Sequence, residues 1–203
     1  MLFRLVRFLI KCFMYLVFRL RVHGWENFPK EGAVIVALNH RSYWDVPLVG
    51  SVLPRRLTFM AKKELFDVPV LGAIIKWADA FPVSRGKSDV GPIRAALAAL
   101  RAGKAMAIFP EGRRVKPGEP HTAKAGVALI AEKTGAPILP IAISGRYRLW
   151  AKVDIYIGEP IYVTPPEGAR KLGGEELQAV SDRLMQTILD MAAQQGKKDN
   201  VAR

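Results

Sequence analysis

Residues 33–38 read Ala-Val-Ile-Val-Ala-Leu, an unbroken apolar run, and the chain then turns polar in Asn39-His40-Arg41-Ser42-Tyr43-Trp44-Asp45. Short apolar runs of the same kind recur at Leu57–Ala61, Ala80–Val83, Lys104–Phe109, Ile138–Ser144 and Val153–Ile157. Each has the length and bounding turn residues of a buried strand. Mixed segments between them predict helices. One runs from Tyr43 or Trp44 to about Leu53, stopped by Pro54, and two short ones fill Lys62–Trp77, broken at Val68-Pro69. Another spans Val90–Arg101, with Ser88 or Asp89 as N-cap, Pro92 in the first turn and Gly103 as the stop. Ala123–Lys133, closed by Gly135, and Glu175–Gln195 complete the set, with 197–203 expected to fray. Val22–Lys30 predicts a short strand or connector. Continuously apolar strands alternating with helices predict an α/β fold, a mainly parallel and largely buried sheet flanked by helices.

The N-terminus has a different pattern. Met1–Leu20 reads MLFRLVRFLIKCFMYLVFRL, and its longest uncharged run, Cys12–Phe18, is far short of the roughly 20 residues a spanning helix needs. Arg19-Leu20-Arg21 offers no small-residue cleavage site of the kind a signal peptide carries. On a helix Arg4, Arg7 and Lys11 share one face, while Phe3, Leu5, Phe8, Leu9, Phe13, Leu16 and Val17 fill much of the remainder. Such a helix is expected to lie in a membrane interface with its basic face towards anionic headgroups. The alternative is an ordinary amphipathic helix packed on the domain. The chain thus divides into a membrane-associating helix over 1–21 and a single α/β domain over 22–203, peripheral on the cytoplasmic face of a membrane.

Charge sharpens this picture. The 203 residues carry 31 Lys and Arg against 18 Asp and Glu, a formal net charge of +13, which favours an anionic partner. The basic residues are dispersed, and those at the N-terminus are embedded in apolar sequence, so an anionic bilayer fits better than nucleic acid. Cys12 is the sole cysteine, which excludes internal disulfides and cysteine-based zinc sites.

Three strands end in polar groups: Asn39-His40, Ser84-Arg85, and Pro110-Glu111-Gly112-Arg113-Arg114. In a parallel sheet these endings lie along one edge, where ligands collect. His40 and Asp45, five apart, would sit about 140° apart on one helix. They meet only if His40 is in the loop and Asp45 in the first helical turn. There the carboxylate can orient one imidazole nitrogen and leave the other as general base. The competing reading is that the two residues only cap the helix. Arg85 with Gly86 and Lys87 suits phosphate oxygens, or is a solvated loop. Glu111 among arginines either orients them, binds a substrate hydroxyl or forms a structural ion pair. Lys124 and Gly126 at a predicted helix start could add to the anion site. Gly-x-Ser-x-Gly and Walker A patterns are absent. His23 and His121 stand alone, and Met60, Met106 and most tryptophans read as core.

These residues resemble the glycerolipid acyltransferases, in particular those acting on 1-acylglycerol-3-phosphate. The ordered set is Asn39-His40-Arg41-Ser42-Tyr43-Trp44-Asp45, Phe81-Pro82-Val83-Ser84-Arg85, Phe109-Pro110-Glu111-Gly112-Arg113-Arg114 and Ala136-Pro137-Ile138-Leu139-Pro140-Ile141, within residues 25–160. The resemblance implies acyl transfer from a thioester, acyl-CoA or acyl-carrier protein, to the free hydroxyl of lysophosphatidic acid, with no resident cofactor, metal or acyl-enzyme. It further implies His40 as base, Asp45 as its orienter, phosphate contacts from Arg85, Glu111, Gly112 and Arg114, and supporting roles for Asn39, Ser42, Pro110 and Pro140. The third motif departs from the family's E-G-T-R-S: Arg113 and Val115 replace its two small hydroxyl residues. Whether Arg113 enters the phosphate site or points to solvent is left open.

Overall fold

The computed structural model describes residues 2–69, 72, 75, 79–83 and 90–201. Helix α1 (Leu2–Val17) leads directly into strand β1 (Arg19–His23). Then come β2 (Val34–Leu38), α2 (Asp45–Val52), β3 (Leu57–Lys62), β4 (Phe81–Val83), α3 (Gly91–Arg101), β5 (Ala105–Ile108), α4 (Gly126–Thr134), β6 (Ile138–Gly145), β7 (Lys152–Ile157) and α5 (Gly174–Val201). The described residues form one seven-stranded sheet in the order β1-β7-β6-β2-β5-β3-β4. Every pairing is parallel except β6 with β7. Strands β2 to β6 therefore point one way, and the edge pair β1 and β7 points the other.

Strand β2 is at the centre and is buried throughout. Its side chains alternate between two cores. Val34, Val36 and Leu38 join the core with Met14, Phe18, Leu48 and Val52, under α1 and α2. Ile35 and Ala37 join the opposite core with Leu100, Ile130 and Ile188, under α3, α4 and α5. Burial on both faces explains why this strand reads as a continuous apolar run. Proline in a central strand is unusual because it cannot donate to the ladder. Pro140 is tolerated where β7 ends: Gly158 N donates to Pro140 O at 2.9 Å, and a Cβ on Gly158 would lie 2.9 Å from the Pro140 ring.

Several boundaries differ from the sequence reading. The N-terminal helix stops at Val17, so Arg19–Arg21 belong to the sheet and not to a helix over 1–21. Arg19-Leu20-Arg21-Val22 alternates charged and apolar, the period of a strand. Its partner β7 lies more than a hundred residues away and is invisible locally. The cap of α3 is Val90 rather than Ser88 or Asp89, which lie outside the described residues. Helix α4 starts at Gly126, leaving Ala123 to Ala125 in the preceding loop, and α5 continues to Val201 where fraying was expected. Of the two helices expected over Lys62–Trp77, the first is a short 3-10 turn, Lys63–Phe66, and most of the second lies outside the described residues, with Gly72 and Ile75 helical. The described tryptophans, Trp25, Trp44 and Trp150, are exposed rather than core.

Candidate active site

At the end of β2 the chain leaves the sheet and is clamped by side chains that imitate a strand. The buried Asn39 amide donates to Ile143 O at 3.0 Å and accepts from Ile143 N at 2.8 Å, extending the β2–β6 ladder by one rung. The Arg41 guanidinium binds Ile143 O at 2.8 Å and also Gly145 O, capping the end of β6. Arg41 is thus committed to backbone. With both neighbours fixed, His40 is held in the loop, its ring stacked on Phe109 at 3.9 Å between centroids.

Asp45 begins α2, as the loop-to-helix reading requires, and is fully buried. Its Oδ2 accepts from His40 Nδ1 at 2.9 Å and from the backbone N–H groups of Arg41 and Ser42, both at 2.7 Å. Its Oδ1 accepts from the Tyr147 hydroxyl at 2.6 Å. Burial of an ionised carboxylate is tolerable only with such a full set of donors and the positive helix end. His40 Nδ1–H is therefore spent on Asp45, and Nε2 is left for a reactant. The Ser42 hydroxyl accepts from Trp44 N at 3.2 Å, a helix-turn bond, and so supports the loop.

The β5 ending meets this pair from the next strand. Glu111 is buried, and its Oε1 accepts from His40 N at 3.1 Å and from His121 Nδ1 at 3.0 Å. Val115 N returns a bond to His40 O at 2.9 Å. Pro110 is buried, and its carbonyl accepts from Lys124 N at 2.9 Å. Gly112 turns through the left-handed region, φ 67°, and a Cβ there would lie 3.0 Å from Lys124 Cε and Nζ. The ammonium group thus lies against a bare stretch of backbone beside Glu111.

The Acyltransferase family model matches residues 19–144, a span holding this constellation except Gly145 and Tyr147. The chain belongs to the acyltransferase family. A 1-acyl-sn-glycerol-3-phosphate acyltransferase of Bacillus subtilis is 31% identical over 177 residues, covering 84% of this chain and 87% of its own. A lyso-ornithine lipid O-acyltransferase of Pseudomonas aeruginosa is 34% identical over 132 residues, covering 64% of this chain and 49% of its own. The crystal structure of the 1-acyl-sn-glycerophosphate (LPA) acyltransferase from Thermotoga maritima matches with a TM-score of 0.67 at 29% identity, covering 89% of this chain and 76% of that one.

In this acyltransferase the two arginines of the third motif part company. Arg113 is exposed and pairs with Glu119 at 2.5 Å across the following loop. Arg114 instead lies over the Tyr43 ring, 3.6 Å from its centroid, beside the His40 loop. Arg85 lies outside the described residues, and Pro140 is inside the sheet, away from the polar groups. His121 is no lone residue, since it holds Glu111. His23 is also paired, with Asp154 at 2.8 Å, but on β1, whose C-terminal end lies at the opposite edge of the sheet. Sequence reading missed Tyr147, His121 as a partner, and Tyr43 as a platform. A lone His ten residues after a motif glutamate was a usable hint, whereas Tyr147 carries no local signal.

The Gly112 turn yields a direct expectation. Gly112→Ala places a Cβ at a φ that costs a non-glycine residue about 1–2 kcal/mol and pushes the Lys124 ammonium aside. The variant should unfold at lower denaturant concentration. It should also show a raised KM for an anionic acceptor with a smaller change in kcat, measured by steady-state kinetics.

Proposed function

We propose that this acyltransferase transfers a fatty acyl group from an acyl-CoA or acyl-carrier-protein thioester to the free hydroxyl of 1-acylglycerol-3-phosphate, giving phosphatidic acid. The observation carrying this reading is His40, tied through Nδ1 to buried Asp45 with Nε2 left without a hydrogen-bond partner among the described residues, next to a glycine turn flanked by Lys124 and Arg114. Nε2 takes the acceptor hydroxyl proton as the oxygen attacks the thioester carbonyl carbon. Asp45 stabilises the imidazolium. The tetrahedral intermediate collapses, the carbon–sulfur bond breaks, and the imidazolium returns the proton to the thiolate. Arg114 and Lys124 are the described residues suited to the acceptor phosphate, with Arg85 expected to join them. Glu111 organises the site by holding the His40 backbone, and Gly112 lets the chain approach the anion.

The names of the relatives support acyl transfer to a lysolipid, and most name 1-acyl-sn-glycerol-3-phosphate. Two observations favour a second acceptor class: Arg113 is engaged by Glu119, and the lyso-ornithine lipid relative is similar at 34% identity. Incubation of purified protein with lysophosphatidate or lyso-ornithine lipid and each thioester donor, with products identified by mass spectrometry, tests the assignment. Phosphatidic acid as the main product supports it, and acylation of the ornithine lipid alone rejects it.

Membrane docking is part of the same reading. No helix among the described residues is long and apolar enough to cross a membrane. Helix α1 packs Met14, and Phe18 beyond its end, into the core, and Arg7 turns inward to the carbonyls of Ser51 and Leu53. The basic face is therefore not wholly free for headgroups. The outward face is apolar, with Leu5, Phe8, Leu9, Phe13 and Leu16 exposed. Phe13 stacks on Trp44, and Trp150 N donates to Val17 O at 2.8 Å. The apolar surface thereby continues through exposed Trp44, Tyr43, Leu149 and Trp150 to the mouth of the site. A double change, Phe8→Asp with Leu16→Asp, removes two side chains each worth about 1.5–3 kcal/mol when buried. Co-flotation with anionic vesicles should fall more than tenfold while the fold persists by circular dichroism.

A further inference from the structure

Tyr147 is a partly buried residue in the β6–β7 connection, packed against the core under α1 and α2 and 102 positions beyond the carboxylate it contacts. Strand β6 runs parallel to β2, so its ending lies on the same edge of the sheet as His40. The Tyr147 ring packs edge-on against Phe18 at 5.5 Å between centroids, and Phe18 in turn packs edge-on against Trp44 at 6.1 Å. The phenol is thereby fixed from the end of α1 and from the start of α2. Its hydroxyl reaches the one Asp45 oxygen that neither His40 nor the loop backbone occupies.

We infer that Tyr147 is a positioning residue of the acyl-transfer site, setting the orientation and strength of Asp45 as the partner of His40. Without a donor on Oδ1, a carboxylate buried from water holds three donors on one oxygen and none on the other. It then has freedom to rotate about its last bond, and Nδ1 loses its fixed direction. The hydroxyl also draws charge away from the carboxylate and so moderates its hold on a protonated imidazole. Burial, followed by the Asp45 charge and the hydrogen bond to it, keeps the phenol well above its ordinary titration range, so it remains a donor. Among the described residues, the other titratable or charged side chains facing this pair are His40 and Arg41, and Arg41 is committed to the carbonyls of Ile143 and Gly145.

The inference rests on His40 as the general base, and the test separates the two. Tyr147→Phe removes one oxygen and keeps the ring against Phe18. In an acyl-transfer assay kcat should fall about tenfold, the scale of one hydrogen bond to a charged group, with KM for the acceptor little changed. The carboxylate, one donor poorer, stabilises protonated His40 more, so the acid limb of the kcat/KM profile should move to higher pH, by roughly half a unit. Placing 3,5-difluorotyrosine at 147 gives a stronger donor of nearly the same shape and should move that limb to lower pH. A limb that stays put in both variants, or moves the same way in both, overturns the inference, as does a Tyr147→Phe enzyme with unchanged kcat. His40→Ala, assayed in parallel, addresses the base alone. If it retains turnover, the failure lies with the proposed chemistry and not with Tyr147.

Discussion

Replacing His40 with alanine is expected to lower kcat by about 10²–10⁴-fold, the usual contribution of a positioned general base. The fold should survive. The His40 backbone, not its side chain, makes the bonds to Glu111 and Val115, while the ring pairs through Nδ1 with Asp45 Oδ2 and stacks on Phe109. Stability should still fall, because Asp45 Oδ2 loses one of its three donors inside the protein. That loss is about 1–3 kcal/mol, measurable by denaturant unfolding. The acceptor KM should change little, since the groups suited to the phosphate, Arg114 and Lys124, belong to another loop. Single-turnover kinetics with radiolabelled acyl donor checks this. A variant that binds acceptor normally and still transfers acyl groups within tenfold of the parent rate would remove His40 from the chemistry.

The strength of that expectation comes from how much of the site was local in sequence. The strand-loop-helix order that lets His40 face Asp45 could be read from an apolar run, a polar heptad and a stop at Pro54. The parallel sheet then brought the β5 ending alongside, since buried strands with helical crossovers admit few other arrangements. Residues that act from a distance were not legible. Tyr147 follows an ordinary strand, and only the register of β6 beside β2 brings it to Asp45. His121 stands alone in the sequence because no other residue lies at metal-ligand spacing from it. Its partner Glu111 meets it only because the chain folds back between β5 and α4. The same limit applies at the N-terminus. Arg19–Arg21 looked like the end of a basic helix, yet a distant strand recruits them into the sheet. Arg7 looked like a headgroup contact, yet the end of α2 offers it unpaired carbonyls. Patterns within one element were readable, while partners chosen by tertiary contact were not.

Glu111 joins the two parts of the site, and its replacement should therefore affect both stability and turnover. Glu111→Ala removes the acceptor for His40 N and for His121 Nδ1 at once. Two donors are left without their partner beneath the loop, at about 1–3 kcal/mol for each that stays buried. The His40 backbone is then free to shift, and a 1 Å misplacement of a reacting group can cost about a hundredfold. Turnover should fall by about that factor, with a lowered unfolding midpoint. Glu111→Gln separates geometry from charge. Its amide oxygen can take the place of Oε1 and keep both bonds, so most of the stability should return. Its amide nitrogen would occupy the position of Oε2, which is buried with no hydrogen-bond partner among the described residues. The carboxylate that pairs with the His121 ring is also gone. Turnover should therefore recover only partly, to within roughly tenfold of the parent, on the scale of one charged hydrogen bond. Denaturant unfolding and steady-state kinetics on the two variants read these effects separately. If alanine and glutamine behave alike in both measurements, Glu111 acts through its charge alone and the bridge to His40 is not what holds the site together.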